Sequence, residues 1–464
     1  MSFSTSMPGG PLVVQTQGYT PRLWRDENVI FFANLLGEFF ENTQLTALLE
    51  QEVSGTDSYG ARLVPIMGLL FGGGDNLVVL EREANPALLA YFSGVLGLKL
   101  PCIQVLSHAD YRTIGTALRE GTPCPKEDLI RTWQEHPAKV LDGYVTDATL
   151  AALAHQLGKR TMSTLAGSKA GNNKLLLHQH LEQVGLPVFE TRLAESPADV
   201  AACLDALGRL GYDQAVVKSQ IGASGIGLMK IRTTDRSRQV PELFFHEGPC
   251  MVQGWMRPGL QGVTRIFSPS VQLFTDHETV YLYDLTEQIL SQESVHQGNA
   301  SPPAYLDDYP GLTEELFRQA SVAGMWLHEQ GYRGTASVDF LVAGLQKEGS
   351  FRVYACEINA RVTGATYPSI LARHYFPRGG WLMRNLKLAV PLPGAEILDL
   401  LEHHHHLFEP ASRSGILPIN FNLNQEGLVE KGQFLCLDGD SLDCRSMLLR
   451  AEEDLPVDWE YVRD

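Results

Sequence analysis

Two lysines, a glycine-rich loop, two carboxylates and an arginine are the residues of this chain whose types and spacing could do chemistry. The stretch "KSQIGASGIG" sets Lys218 ahead of Gly222, Ser224, Gly225 and Gly227. Glycines let backbone N–H groups approach an anion, Ser224 adds a hydroxyl donor, and Lys218 adds a fixed positive charge. Leu228 and Met229 follow Gly227. A Walker A loop needs its lysine directly after the last glycine, and the GxGxxG spacing is also absent. The loop therefore reads as a connection between two strands, with Lys218 ending the first. Two readings stay open on this stretch: a loop folded over phosphates, or a plain glycine-rich hairpin.

Further along, "SVDFLV" places Asp339 in a strand of alternating pattern, and "YACEINAR" places Glu357 and Asn359 two apart. Both side chains then leave the same face, ~6.6 Å apart along the strand. If the two strands pair as a hairpin across "GLQKEG", Asp339 falls opposite or near Glu357. Three hard oxygen ligands in one place suit Mg²⁺, which is held by a few protein oxygens together with nucleotide phosphates. The alternative is a sheet face with ordinary exposed acids. Val338, Phe340, Cys356 and Ile358 flank these acids, and buried acids need partners. Arg361 follows in phase and could meet a phosphoryl group in bidentate fashion.

These residues need elements to hold them. Lys174 leads a helix, "NNKLLLHQHLEQVGLP", that stops at Gly185 and Pro187. Residues 1–60 read as an N-terminal extension carrying an amphipathic helix over "NVIFFANLLGEFF". From 61 to 167, short apolar runs alternate with helical stretches, which predicts a small parallel α/β domain, with Thr146 or Asp147 as a helix N-cap. Residues 168–390 begin with a helix and continue as a long β-rich run. Residues 391–464 read as a small α/β C-terminal domain. The fold class is α/β and α+β, multidomain.

The whole chain bounds the function. It has 464 residues and a net charge of −17. That charge argues against a broad nucleic-acid footprint, which needs a basic surface. It leaves room for a small phosphate site. The N-terminus lacks the charged and apolar regions of a secretory signal, and the apolar stretch "LVPIMGLLFGGG" is too short to span a bilayer. No membrane association is expected. The seven cysteines show no CxxC pair or disulfide spacing, which fits a reducing cytoplasm. No Cys/His cluster suggests zinc. The run His403–His406 reads as native sequence in a solvated loop or helix end.

Taken in order, two separated lysines, a glycine loop between strands, a hinge-like "VQGWM", an Asp and an E-x-N resemble the ATP-grasp fold over about residues 60–390. "SPSVQL", "LTEQIL", "HQGNASPP", "GYRGTASVDF" and "EINARVTGATYPSIL" are similar to the pheganomycin-type peptide ligases of that superfamily. The resemblance implies a pre-ATP-grasp domain over 61–167, an ATP-grasp domain over 168–390 and a family-type C-terminal domain over 391–464. It implies that Lys174 and Lys218 reach the phosphates of ATP from the same side. Gln253, Gly254, Trp255 and Met256 would line the adenine pocket. Glu287, Gln288, His296, Arg361 and Thr366 would face substrates. Arg361 and Lys218 would be catalytic. The family pattern E-I-N-L-R, then G-G-T-T-H-P, is replaced here in part by Thr363-Gly364-Ala365-Thr366-Tyr367-Pro368, which puts substrate identity in question rather than ATP chemistry.

The activity so implied is a carboxylate–amine ligase using ATP and Mg²⁺ through an acyl phosphate, on amino-acid or peptide-like substrates in biosynthesis. A thiol on a carrier protein is the alternative acceptor. A catalytically silent nucleotide-binding regulator is the alternative of another class. The oligomeric state is left open, with a homodimer among the options.

Overall fold

Val29, Ile30, Phe31 and Phe32 are all buried. Four consecutive apolar residues with no polar face need cover on both sides, as in a parallel sheet. They form the central strand of a five-stranded parallel sheet in a computed structural model. The structure describes residues 4–5, 10–16, 18–20, 27–40, 42–53, 55–223, 225–291 and 296–458. The order across this sheet is Cys102–Val105, Leu77–Leu80, Val29–Phe32, Val140–Gly143, Arg160–Thr161. The helix read over "NVIFFANLLGEFF" is therefore corrected to a strand followed by a 3-10 turn, Leu35–Phe39. The strand lies ahead of residue 61, where the sequence set the start of this unit. A continuous apolar run carries no period to tell strand from helix; the strands on either side decide it.

Helices His108–Glu120 and Ala148–Leu157 pack together on one face of this sheet, around Phe32, Ile114, Trp133 and Leu153. Asp147 is the N-cap of the second, its carboxylate accepting from the Leu150 N–H, which satisfies one of the unpaired donors of the first turn.

A second sheet is antiparallel and four-stranded, in the order Ile226–Arg232, Gln214–Ala223, Cys250–Gly254, Thr191–Ala194. Helix Val200–Arg209 covers it through Val200, Cys203, Leu204 and Leu207. The third sheet has eleven strands. From its Glu357 edge it runs Phe351–Asn359, Gly334–Leu345, Pro269–Thr275, Thr279–Leu290, His296–Ser301, Gly380–Leu392, Val429–Asp438, Gly415–Leu423. The last two strands lie in the segment read as a C-terminal domain, yet they continue this sheet. Helix Leu312–Glu329 buries its Leu316, Ala320, Ala323 and Leu327 face against Val338, Phe340 and Ile358. That packing sends the alternate residues Asp339, Glu357 and Asn359 to the opposite face.

One apolar core joins the parallel sheet to the long one. Leu63, Val64 and Met67 pack with Tyr367, Ile370 and Leu371. Of the four consecutive histidines, His404 and His406 both contact Asp454, at 3.5 and 3.0 Å. All seven cysteines are unpaired. Among the described residues no helix is long and apolar enough to cross a membrane.

Candidate active site

The hairpin register sets Asp339 directly opposite Glu357 and Ser337 opposite Asn359. Asn359 Nδ2 donates to Asp339 Oδ2 at 2.9 Å, and Ser270 Oγ donates to Asp339 Oδ1 at 2.6 Å. Burial and then the charge of Glu357 push the Asp339 carboxyl up to about 6, against the hydrogen bond from Ser270, the charge of Arg361 and a hydrogen bond from Gln288. Burial acts most strongly on Glu357, to raise it, but Lys174, Arg361 and Lys218 together outweigh it, so its net shift is downward. Two half-buried carboxylates held face to face favour a bound cation. Among the described residues no three His, Cys, Asp or Glu side chains form a metal-holding group, so the third oxygen of such a set would be the Asn359 amide. Hard oxygens of this kind fit Mg²⁺.

Lys174 is the first residue of helix Lys174–Gln183, whose N-cap Asn173 accepts from the Leu175 and Leu176 N–H groups. Leu177 and Leu181 on the buried side anchor that helix. This leaves Lys174 Nζ 2.9 Å from Glu357 Oε2 and donating to the Gly222 carbonyl at 2.8 Å. One lysine thus ties the helix, the glycine loop and the acidic strand together. Lys218 lies within the strand Gln214–Ala223 rather than at its end, with its ammonium 5.8 Å from the Phe189 ring centre. Burial lowers its pKa, opposed by Cys356 and Glu357. The glycine loop is a tight antiparallel connection with a register shift between Ile226 and Leu228. Gly225 and Gly227 have φ of 82° and 80°, a region that favours glycine. Ser219 braces the loop by donating to the Ile221 carbonyl at 2.6 Å; Ser224 lies outside the described residues.

Arg361 is brought to the same place. Its Nη1 donates to Asn172 Oδ1 at 2.5 Å and its Nε lies 3.4 Å from Glu38 Oε2. Asn172 in turn donates to the Ala360 carbonyl at 3.1 Å, and Asn173 donates to Gln220 at 2.8 Å. The paired asparagines before the helix therefore pin the arginine to one lobe and the helix to the other. Gly171 permits this approach, because a Cβ there would sit 2.5 Å from the Ala360 Cβ.

A cavity of about 370 Å³ opens beside these groups. Asp339, Glu357, Asn359, Arg361, Gln288 and His296 line it. So do Glu38, Tyr59 and Arg62 from the parallel-sheet unit, and Lys431 and Gln433 from the last strands. Sequence reasoning missed these five. One signal was there for Glu38, a lone acid inside the apolar run "NLLGEFF". It is buried, which raises its pKa against the pull of Arg361, Arg62 and Lys174.

Other expected residues lie elsewhere. Glu287 leaves the opposite face of its strand from Gln288. Its oxygens accept from the Ser268 N–H at 2.8 Å and the Tyr305 hydroxyl at 2.5 Å, and burial pushes it up to about 7. Thr366 is fully buried at the start of helix Thr366–Tyr375 and accepts from the Thr363 N–H at 2.9 Å. Its neighbours Thr363, Gly364 and Tyr367 line the cavity instead. His296 does line it, with its ring 2.6 Å from Asn299 Oδ1. Gln253, Gly254, Trp255 and Met256 form the link from the four-stranded sheet toward the long one, and none lines this cavity. Gln253 donates to Thr191 at 3.0 Å, Lys230 sits 4.1 Å over the Trp255 ring, and Met256 packs with Val263 and Tyr354.

Comparison with known proteins agrees with this architecture. The family described as Pre ATP-grasp domain matches residues 65–159. Over 207 residues the chain is 27% identical to a butirosin acyl-carrier protein–L-glutamate ligase of Niallia circulans, covering 44% of this chain and 46% of that protein. The match thus spans about half the length of that relative. Among solved structures, N5-carboxyaminoimidazole synthetase from Staphylococcus aureus complexed with ADP has a TM-score of 0.52 at 13% identity, over 93% of this chain and 99% of that one. A biotin carboxylase β-γ-ATP complex from Campylobacter jejuni has a TM-score of 0.55 at 12% identity, over 93% of this chain and 92% of the other. The fold is thus the ATP-grasp fold, preceded by a pre-ATP-grasp domain.

Proposed function

We propose that this chain is an ATP-dependent ligase that joins a carboxylate to an amine, with release of ADP and phosphate. The observation that carries the reading is the position of Lys174, bonded at once to the glycine loop and to Glu357, which with Arg361 lines a cavity shared by three parts of the chain. In this reading the substrate carboxylate attacks the γ-phosphorus of ATP to give an acyl phosphate and ADP. The amine then attacks the acyl carbon, and phosphate leaves. Lys174 and Lys218 offset charge on the phosphates. Asp339, Glu357 and Asn359 would hold Mg²⁺, which supplies further charge neutralisation on the phosphate oxygens. Arg361 meets the transferring phosphoryl group or the tetrahedral oxyanion. The work of the protein is positioning and electrostatics.

The glycine loop excludes water from the acyl phosphate. Its Ile226 is packed on Leu36, Phe39, Leu45 and Leu49 of the first unit, which supports a closed position. The likeness to pheganomycin-type ligases supports amino-acid or peptide-like substrates. The name of the Niallia circulans relative favours a second reading, in which the chain acts on an acyl-carrier protein and glutamate. Seven free thiols support a reducing, cytoplasmic setting.

The test is product stoichiometry with pooled carboxylates, supplied with amines, with a carrier thiol or with neither. One ADP and one phosphate per amide are expected. AMP and pyrophosphate as the main products would refute the mechanism. ADP formation that neither amines nor a carrier thiol accelerate would refute the ligase reading.

A further inference from the structure

Two cations that line the cavity, Arg62 and Lys431, are not used by the reaction above. Arg62, 7% exposed, lies between two tyrosine rings, its guanidinium carbon 4.3 Å from the Tyr59 centre and 5.0 Å from that of Tyr367. Its Nε donates to the Tyr59 carbonyl at 2.7 Å and its Nη1 to the Tyr367 hydroxyl at 3.1 Å. Lys431, on the strand Val429–Asp438, donates to the hydroxyl of the same Tyr59 at 3.4 Å. The two positive side chains, from the front and the back of the sequence, therefore share one tyrosine.

Among the described residues neither cation forms an ion pair with a carboxylate. Glu38 acts on Arg62 from a distance and is held by Arg361 at 3.4 Å. His296 stands close enough for both cations to oppose its protonation, so it does not balance them. The glutamates that line the cavity are engaged elsewhere, Glu38 with Arg361 and Glu357 with Lys174. Two like charges on one tyrosine with no carboxylate in contact are costly, and an anion relieves that cost. A second feature points to a ligand. Gln433, 2% exposed, gives its amide hydrogens to Tyr367 at 2.7 Å and Asn385 at 3.0 Å, which leaves its buried Oε1 without a partner. That oxygen can accept an N–H.

We propose that Arg62 and Lys431 form a second anion subsite, which holds a substrate carboxylate that is not the one activated by ATP. This deepens the ligase reading and rests on it. Planar guanidinium paired with a flexible ammonium suits a carboxylate approached from two sides. The carboxylate could belong to an amino-acid acceptor, whose amine would also meet Gln433, or be the second acid of a dicarboxylate donor. In both cases the substrate carries an acid other than the one that ATP activates.

The test is binding without turnover. The full chain, saturated with ADP and Mg²⁺, is titrated calorimetrically with the common L-amino acids, their carboxamides, succinate and glutarate. At least one acid is expected to bind, with its carboxamide about tenfold weaker or worse. Lys431→Met should weaken the acid by about tenfold and leave the carboxamide alone, since a charge-assisted bond is lost. Arg62→Gln should act the same way. Because Arg62 is packed between rings, its folding is checked by circular dichroism; Lys431, on a half-buried strand position, keeps the test decisive if that variant misfolds. Preference for amino acids assigns the subsite to the acceptor, and preference for dicarboxylates assigns it to the donor. Equal binding of acid and carboxamide, an equal effect of Lys431→Met on both, or no binding by any probe would overturn the subsite. ADP formation is read separately: acid binding without ADP formation on any carboxylate–amine pair would sink the ligase reading and leave the subsite standing.

Discussion

Replacing Lys174 with methionine should move metal affinity and nucleotide affinity in opposite directions. Lys174 Nζ is 2.9 Å from Glu357 Oε2, with the two side chains 11% and 28% exposed. At an effective dielectric of about 20 the gross attraction at that separation is about 6 kcal/mol. Desolvation of both charges offsets much of it, and the partial exposure of Glu357 screens more, so the net loss is about 2–3 kcal/mol. Without the lysine, Glu357 is left beside Asp339 with one cation fewer. A divalent ion then gains what the lysine no longer supplies, and Mn²⁺ should bind the nucleotide-free variant roughly tenfold or more tightly. Nucleotide loses one charge-assisted hydrogen bond, about 1.5–3 kcal/mol, so a non-hydrolysable ATP analogue with Mg²⁺ should bind about 10–150-fold more weakly. Calorimetry measures both, and the variant's stability should recover when metal is added. Nucleotide affinity within threefold of the parent, or metal affinity that falls with it, would refute the placement of Lys174 between acid and phosphate.

Three further outcomes are expected. Glu287, raised to about 7 by burial, holds its proton in the folded chain at pH values where the unfolded chain has lost it. Its contribution is therefore intact below about 4.3 and declines as pH rises toward 7, by up to about 3 kcal/mol. Glu287→Gln should flatten melting temperature against pH in that window, and an unchanged slope would contradict the assignment. Gly225 and Gly227 share a positive φ, so alanine is strained at either, but Gly227→Ala also forces a Cβ to 2.2 Å from Ser219 Oγ, whereas Gly225→Ala meets nothing within 4 Å. Gly227→Ala should weaken nucleotide binding and loop protection from proteolysis clearly more than Gly225→Ala, with strain of about 1–3 kcal/mol; equal effects would count against a braced loop. Arg373 and Asp284 form a buried pair at 2.7 Å, 6% and 3% exposed. Arg373→Leu should destabilise by about 3–5 kcal/mol in urea unfolding, and a loss below 1 kcal/mol would show that the pair is solvated.

Some of this protein was determined by local sequence. Period-two spacing put Glu357 and Asn359 on one strand face, and the "GLQKEG" connection brought Asp339 opposite or near Glu357. A register shift between Asp339 and Phe340, which the connection does not encode, sets the two acids directly opposite. Asp147 and Asn173 likewise cap their helices through contacts a few residues long.

Tertiary structure decided what local rules leave degenerate. "VIFF" has no polar face, so strand and helix bury it equally well, and only the parallel neighbours Leu77–Leu80 and Val140–Gly143 make it a strand. The strands after residue 391 looked like a separate domain because a sequence does not show hydrogen bonds across a sheet; pairing with Gly380–Leu392 joins them to the eleven-stranded sheet. Glu287 and Gln288 were equivalent in sequence until the sheet chose which face met the cavity. Glu38 and Arg62 stand about three hundred residues before Arg361, and Lys431 stands 70 after it. Their meeting depends on packing between whole units, and no spacing within the chain encodes a contact of that kind.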